Sequence, residues 1–441
     1  MGFAGWAGVC ARPIPYMLMR GRSVKLSKFG QRMTRTSGIS ELMADLGEAL
    51  AGDAGMRMLG GGNPAYIPEV QQRFREEMQR ILGTAGAFER MIGNYDTPQG
   101  NRGFIEALAA LLNRELGWPV KSANIALTNG SQSAFFTLFN LFAGECADGS
   151  YRKILLPVTP EYIGYADVGL TEDFFRARRP LIEQLDAHTF KYHLDFKGVE
   201  VPGDVGAICV SRPTNPTGNV LTDDEVAHLS ELARRHDVPL ILDNAYGLPF
   251  PDIIFTEAQP VWNERTIICM SLSKLGLPSA RTGIVIASEE IIRAVCEMNG
   301  ILALAPGTFG AALTTELVRS GEIMALSREV VKPFYQEKVR WALEVVRREF
   351  EGVDYRVHKP EGAIFLWFWF PGLPISSREL YERLKRRKVL VVGGHYFFPG
   401  LTEEWRHKQE CIRVTYSQDK QVVAEGLRII AEEVKRAFSE G

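Results

Sequence analysis

The residues with the greatest chemical potential in this chain stand at the ends of apolar runs. Lys274 closes Ser271-Leu272-Ser273-Lys274, directly after the apolar run 266–270. A lysine in such a place is either a solvated surface residue, the commoner fate, or a buried amine of lowered pKa. Its neighbours Cys269, Met270, Leu275 and Leu277 are apolar, which adds weight to the second reading. A deprotonated lysine amine can form a Schiff base with an aldehyde. Asp243, in Asp243-Asn244-Ala245-Tyr246, follows another apolar run, 238–242. Carboxylates there usually cap a helix or pair with a cation; beside a bound heteroaromatic ring, one keeps the ring nitrogen protonated.

Three further stretches carry polar groups at comparable positions. Ser211-Arg212-Pro213-Thr214-Asn215-Pro216-Thr217-Gly218 reads either as consecutive turns or as a rigid loop aiming the Asn215 amide at a ligand oxygen. Thr128-Asn129-Gly130-Ser131-Gln132 precedes the apolar helical stretch 133–142. It is a plain helix cap or, with its free N–H groups and the helix dipole, a phosphate cradle. Arg281 would add a permanent positive charge to such a cradle. Tyr162, in Pro160-Glu161-Tyr162, is a packing residue or an aromatic face for a planar ligand.

The elements that must position these groups follow from patterning. Runs at 153–158, 205–211, 239–243, 266–272 and 282–287 are continuously apolar, as strands covered on both faces are. Amphipathic stretches alternate with them, including 222–236, where Thr222 and Glu225 form a capping box ahead of Val226, Leu229 and Leu232. The pattern predicts an α/β fold with a mainly parallel sheet. In such sheets ligands bind beyond the carboxyl ends of the strands, so Tyr162, Asn215, Asp243, Tyr246 and Lys274 are predicted to converge on one crevice. From about Gly310 the texture changes to long charged helical segments (327–350, 377–388, 418–438) around apolar runs at 363–370 and 389–392, a separate α+β unit.

Composition narrows the function. A formal net charge of -2 over 441 residues argues against general affinity for nucleic acid or anionic membrane. No stretch approaches a membrane-spanning helix in length. Seven histidines without ligand spacing predict no metal site. Six scattered cysteines (Cys10, Cys146, Cys209, Cys269, Cys296 and Cys411) read as reduced thiols of a cytoplasmic protein.

Together these pieces resemble the fold-type-I pyridoxal-phosphate enzymes, specifically the class I aminotransferases. The resemblance runs from about Leu26 onward. It is carried by Gly60-Gly61-Gly62-Asn63-Pro64, Asn94-Tyr95-Asp96-Thr97-Pro98-Gln99-Gly100, the helix beginning at Ser131, Pro160-Glu161-Tyr162-Ile163-Gly164-Tyr165 and Glu361-Gly362-Ala363-Ile364-Phe365-Leu366-Trp367. It implies a large domain, 61–309, whose mainly parallel seven-stranded-type sheet lies between helices, and a smaller α+β domain, 310–441. Residues 24–60 would pack with the smaller domain; 1–23 lie outside the resemblance and, slightly basic and mildly apolar, read as a poorly ordered extension or an upstream start.

The resemblance also implies pyridoxal 5′-phosphate as cofactor, and a role for each residue. Lys274 would carry the Schiff base and move the proton, while Asp243 would pair with the pyridine nitrogen. Asn215 and Tyr246 would meet the ring hydroxyl, and Tyr162 would stack on the ring. Gly130, Ser131, Gln132, Ser271 and Arg281 would hold the phosphate, with Tyr95 reaching it from the neighbouring subunit of a homodimer. Arg413, in Cys411-Ile412-Arg413-Val414, would fork onto the substrate α-carboxylate beside Gly62 and Asn215. The implied reaction moves an amino group between an aliphatic L-amino acid and a 2-oxo acid. Arg281 follows Lys274 one position sooner than the family's phosphate arginine does, so the intervening loop is shorter. A carbon–sulfur β-lyase would share Lys274, Asp243 and Asn215. A coenzyme-binding regulator would need a DNA-binding module ahead of Gly60, where some sixty unremarkable residues leave little room for one.

Overall fold

A computed structural model describes residues 24–35, 37–52 and 55–441; the extension 1–23, with Cys10, lies outside the described residues. Its centre is an eight-stranded sheet. From one edge the order is Ile125–Thr128, Gly283–Ile286, Thr266–Ser271, Leu240–Asp243, Val205–Ser211 and Tyr151–Leu156, and the last of these also pairs with Phe175–Ala177 and the short Gly144–Glu145. Pairing is parallel from Thr266–Ser271 through to Phe175–Ala177. It is antiparallel on both sides of Gly283–Ile286 and at Gly144–Glu145.

The unbroken apolar runs follow from burial on both faces. Along Val205–Ser211, Ala207 and Cys209 join one hydrophobic cluster with Phe135, Phe139 and Tyr165. Ile208 and Val210 join another with Val226 and Leu229 of the helix Asp223–Arg235. Helices thus cover both sides, and no position in these strands can be polar without cost.

Register then fixes where the chain leaves the sheet. Ser211 lies opposite Asp243, Asp243 opposite Cys269, and Ser271 opposite Gly283, which in turn faces Thr128. The carboxyl ends of the parallel strands therefore align along one edge.

A second sheet has six strands, in the order Val392–Gly393, Cys411–Thr415, Phe365–Trp369, Arg356–His358, Thr189–His193 and Leu181–Gln184. Its last two strands form a hairpin that leaves the stretch between the central strands and pairs in parallel with Arg356–His358. Patterning did not single out this hairpin, because Leu181–Gln184 is largely exposed and carries no apolar alternation. The helices Lys332–Glu349, Ser377–Arg386 and Lys420–Glu440 supply the long amphipathic segments; the first is preceded by a π-helical turn, Ser327–Val331. The strand Arg57–Met58 pairs with Val389–Leu390, and Asp45 accepts a 2.6 Å bond from Lys385 Nζ.

The capping box forms as its spacing predicts. Thr222 Oγ1 accepts from the Glu225 amide, and Glu225 Oε2 accepts from the Thr222 amide at 2.7 Å. Glu225 Oε1 also accepts from the Leu194 amide at 2.8 Å, which ties this helix to the end of the hairpin. Thr222→Ala removes one half of the box and should cost about 1 kcal/mol of stability. A thermal melt checks this, and an unchanged midpoint would show that the cap carries no weight.

Candidate active site

Asp243 ends its strand nearly buried. Its Oδ2 accepts from the Tyr165 hydroxyl at 2.7 Å and its Oδ1 from the Ala245 amide at 3.0 Å. Burial raises its pKa, while the Tyr165 and Ala245 hydrogen bonds and the Lys274 charge pull it back. These two bonds leave acceptor capacity on a carboxylate aimed at the crevice.

Lys274 lies in the 3-10 turn Leu272–Leu275 that ends the strand Thr266–Ser271. Its Nζ donates to the Gly62 carbonyl at 2.7 Å and stands 5.2 Å from the Tyr246 ring centroid. The amine is lowered to about 8, first by burial and then by the Arg413 charge, against the opposing pull of Asp243. Of the two sequence readings, the structure favours the amine of lowered pKa, on a half-buried side chain.

The corner opposite Thr128 is a cradle of backbone. Gly130, at φ 83°, precedes the helix Ser131–Phe142, and a Cβ there would stand 2.0 Å from Arg281 Nη2. A Cβ on Gly283 would lie 2.7 Å from the Ser131 amide nitrogen. Both positions need glycine because a guanidinium and a helix start crowd together. Arg281 donates to Ser273 Oγ at 3.3 Å and to the Pro278 carbonyl at 3.0 Å. It does so from the left-handed region, at φ 46°, which lets the shortened loop bring it to this corner. Gln132 donates to the Gly164 carbonyl at 2.9 Å, while its buried Oε1 has no partner. Ser271 is buried, and its Oγ caps the Ser273 amide at 3.1 Å. The side chain that meets Arg281 is Ser273, a residue to which sequence reasoning gave no role.

On the other side of the crevice, Arg413 projects from the strand Cys411–Thr415 and is 2 % exposed. Its Nη1 donates to Asn215 Oδ1 at 2.7 Å and its Nη2 to the Gly60 carbonyl at 2.6 Å; its Nε has no partner. The guanidinium carbon lies 4.2 Å from the Phe365 ring centroid and 5.2 Å from that of Phe397. Among the described residues no carboxylate pairs with it. Burial lowers its pKa to about 10, a sign of how poorly this cation is solvated. Asn215 therefore spends its carbonyl on Arg413, and its amide N–H groups remain to donate elsewhere.

Tyr162 and Tyr246 complete the walls. Tyr162 is half-buried and meets Tyr165 edge-on at 5.4 Å; a Cβ on Gly164 would fall 2.3 Å from its ring, so the glycine clears space for it. The Tyr246 hydroxyl is buried, with no hydrogen-bond partner among the described residues. Tyr95 is 86 % exposed, on the surface ahead of the bridge between Thr97 and Gly100. Sequence reasoning passed over Tyr165, Glu161 and the Gly60 carbonyl as site groups, although all three lie within quoted motifs.

The crevice thus offers orphaned polar atoms of Tyr246, Gln132 and Arg413, a glycine-lined anion corner, a buried carboxylate and an amine of lowered pKa. That set fits an anionic, planar heteroaromatic aldehyde with a carboxylate-bearing partner, as pyridoxal phosphate and an amino acid are.

Comparisons with known proteins agree. A family model described as aminotransferase class I and II matches residues 58–430. The valine–pyruvate aminotransferase of Escherichia coli (strain K12) is 52% identical over 414 residues, covering 94% of this chain and 99% of that protein. A solved structure of a putative amino-acid aminotransferase from Psychrobacter arcticum matches with a TM-score of 0.92 at 47% identity, covering 95% of this chain and 100% of that one. The valine-pyruvate aminotransferase of Salmonella typhimurium matches with a TM-score of 0.85 at 50% identity, covering 91% of this chain and 100% of that one. With a crevice of this chemistry and a match over nearly its whole length, the chain belongs to the class I and II aminotransferases, fold-type-I enzymes whose coenzyme is pyridoxal 5′-phosphate.

Proposed function

We propose that this aminotransferase converts L-valine and pyruvate to 3-methyl-2-oxobutanoate and L-alanine. The observation that carries the reading is Arg413, a buried guanidinium that no carboxylate among the described residues pairs with, held over two aromatic rings. Such a cation calls for an anion brought by the substrate, and the α-carboxylate of an amino acid meets it in a forked, charge-assisted contact. The choice of valine and pyruvate is supported by the 52% identity to the Escherichia coli enzyme.

The residues divide the work as follows. Gly130, Ser131, Gln132, Ser271 and Arg281 hold the coenzyme phosphate. Asp243 faces the ring nitrogen, Asn215 and Tyr246 donate to the ring hydroxyl, and Tyr162 lies on the ring. When bound, pyridoxal phosphate supplies a protonated ring that withdraws electrons from the substrate α-carbon. Lys274 Nζ takes the proton from that carbon, Arg413 and Gly62 fix the carboxylate end, and Phe365 and Phe397 keep water from the guanidinium.

The same reading extends to assembly. Tyr95, Ile301, Leu302 and Leu304 are all exposed, and Ile301 is 84 % so. Gly307 donates to Asn129 Oδ1 at 2.9 Å and Thr308 to Asp96 Oδ2 at 3.0 Å, which ties the segment after the helix Glu289–Ala303 to the segments before Gly130 and after Tyr95. A second copy covering that surface forms a homodimer in which Tyr95 serves the partner's phosphate corner. The five described cysteines are free thiols, which suits the cytoplasm. A net charge of -2 suits small-molecule partners, and none of the described helices is both long and apolar enough to cross a membrane.

The visible band of the purified protein tests the reaction. It should fade with L-valine and return with pyruvate. A band that ignores valine would discard this substrate pair. Ammonia and pyruvate released from a cysteine conjugate, without alanine formation from pyruvate, would replace transamination by β-elimination.

Two residue tests accompany it. Arg413→Lys keeps a charge but loses the fork, so KM for both substrates should rise about tenfold to a hundredfold with the visible band intact. An unchanged KM would remove Arg413 from substrate binding. Lys274 reacts as the neutral amine, and its pKa is lowered to about 8. Covalent capture of pyridoxal phosphate by coenzyme-free protein should therefore quicken as pH rises through about 8 and level off above it. A rate still climbing toward pH 10 would contradict the buried amine.

A further inference from the structure

Behind Asp243 lies a second buried carboxyl group that the reaction as described does not use. Glu161 is 1 % exposed. Its Oε1 accepts from the Ser211 amide at 2.8 Å, and its Oε2 lies 2.5 Å from Ser211 Oγ. Ser211 Oγ is 3.3 Å from the Tyr165 hydroxyl, which donates to Asp243 Oδ2 at 2.7 Å. Four oxygens are thus joined in a line from one acid to the other, with the Tyr165–Ser211 link the longest.

Counting protons along this line decides its charge. Three oxygen–oxygen links need three protons, and the Tyr165 and Ser211 hydroxyls bring two. The third must sit on one of the two acids. Were both acids ionised instead, Ser211 would turn to Glu161, and two carboxylate charges would share one buried network. Asp243 is the better host for the single charge, because it has the Ala245 amide, the Tyr165 hydroxyl and the nearby Lys274 cation. Glu161 has hydrogen bonds from Ser211, while Asp243 and the Cys209 thiol face it from neighbouring strands. Burial, with the Asp243 charge adding to it, pushes Glu161 up to about 8.

We propose that Glu161 is a neutral carboxylic acid at physiological pH and acts as a positioning residue that directs the Tyr165 proton onto Asp243. By donating to Ser211 Oγ, the protonated acid frees the Ser211 proton to point at Tyr165. Tyr165 is then an acceptor from Ser211, so its own proton goes to Asp243. Asp243 is held as a carboxylate, oriented and ready to accept from the ring nitrogen. An ionised Glu161 would draw the Ser211 proton to itself and leave Tyr165 free to turn away. The consequence for the coenzyme rests on the reading that Asp243 faces the ring nitrogen; the protonation state of Glu161 does not.

Infrared spectroscopy of the full-length protein at neutral pH tests the protonation directly. A protonated-carboxyl stretch should appear that shifts on labelling with [13C]glutamate but not with [13C]aspartate, and that vanishes in Glu161→Gln. The amide of Glu161→Gln can donate to Ser211 as the neutral acid does, so the variant should retain affinity for pyridoxamine phosphate within about threefold. Glu161→Leu, which can neither donate nor accept, should weaken it about tenfold or more. Absence of the stretch, or a stretch that follows the aspartate label, would overturn the proposal, as would Glu161→Gln losing as much affinity as Glu161→Leu. If the wild-type protein bound no pyridoxamine phosphate while the glutamate stretch was present, the reading of Asp243 would fail and the neutral acid would stand.

Discussion

The constraint on which the site depends is the register of the parallel strands. Val205–Ser211, Leu240–Asp243 and Thr266–Ser271 pair so that Ser211, Asp243 and Cys269 stand side by side. Just beyond that line the chain leaves the sheet at one edge into the Asn215 loop, Tyr246 and Lys274. A slip of one residue in any of these pairings would turn the strand's side chains to the opposite face. Burial on both faces makes such a slip costly, because Ala207, Cys209, Ile208 and Val210 are packed into separate clusters on the two sides. The core therefore holds the chemistry in place without contributing any chemistry itself.

What was legible in the sequence follows from that division. The strand ends were readable because doubly covered strands must be apolar throughout, and the break to Asp243 or Lys274 is abrupt. The box at Thr222 and Glu225 was readable because it is local. The hairpin formed by Leu181–Gln184 and Thr189–His193 was not: its place in the second sheet comes from pairing with Arg356–His358, far along the chain. Similarly, the support that the Gly60 carbonyl gives Arg413 is a backbone contact across 353 positions, which no residue type announces. Glu161 stood in a quoted motif, but its burial against Ser211 depends on the neighbouring strand. Ser273 meets Arg281 across a loop that ends with Arg281 in the left-handed region, a conformation its residue type does not announce.

The shortened loop shows how backbone conformation and composition compensate. At φ 46° the chain bends sharply enough to return the guanidinium to the start of the helix Ser131–Phe142. The room it occupies is the room a side chain at position 130 would need. Gly130 and Arg281 are thus one solution rather than two, and the strain of a non-glycine residue at positive φ is located at the corner proposed to hold the phosphate.

The two cations facing the crevice are linked in a way that bears on the order of events. Arg413 has no carboxylate partner among the described residues, and its charge lowers the pKa of Lys274. Before substrate arrives, that influence favours the neutral amine, the form that attacks an aldehyde. In the proposed reaction the substrate carboxylate then neutralises Arg413, which removes one of the effects holding Lys274 down. The amine becomes more basic at the moment its task changes from nucleophile to proton acceptor. Asp243 opposes Arg413 throughout, so its charge must persist for the balance to work. A buried guanidinium without a carboxylate among the described residues is costly to fold around, and in the proposed reaction that cost would maintain a site whose proton affinity responds to the arrival of its substrate.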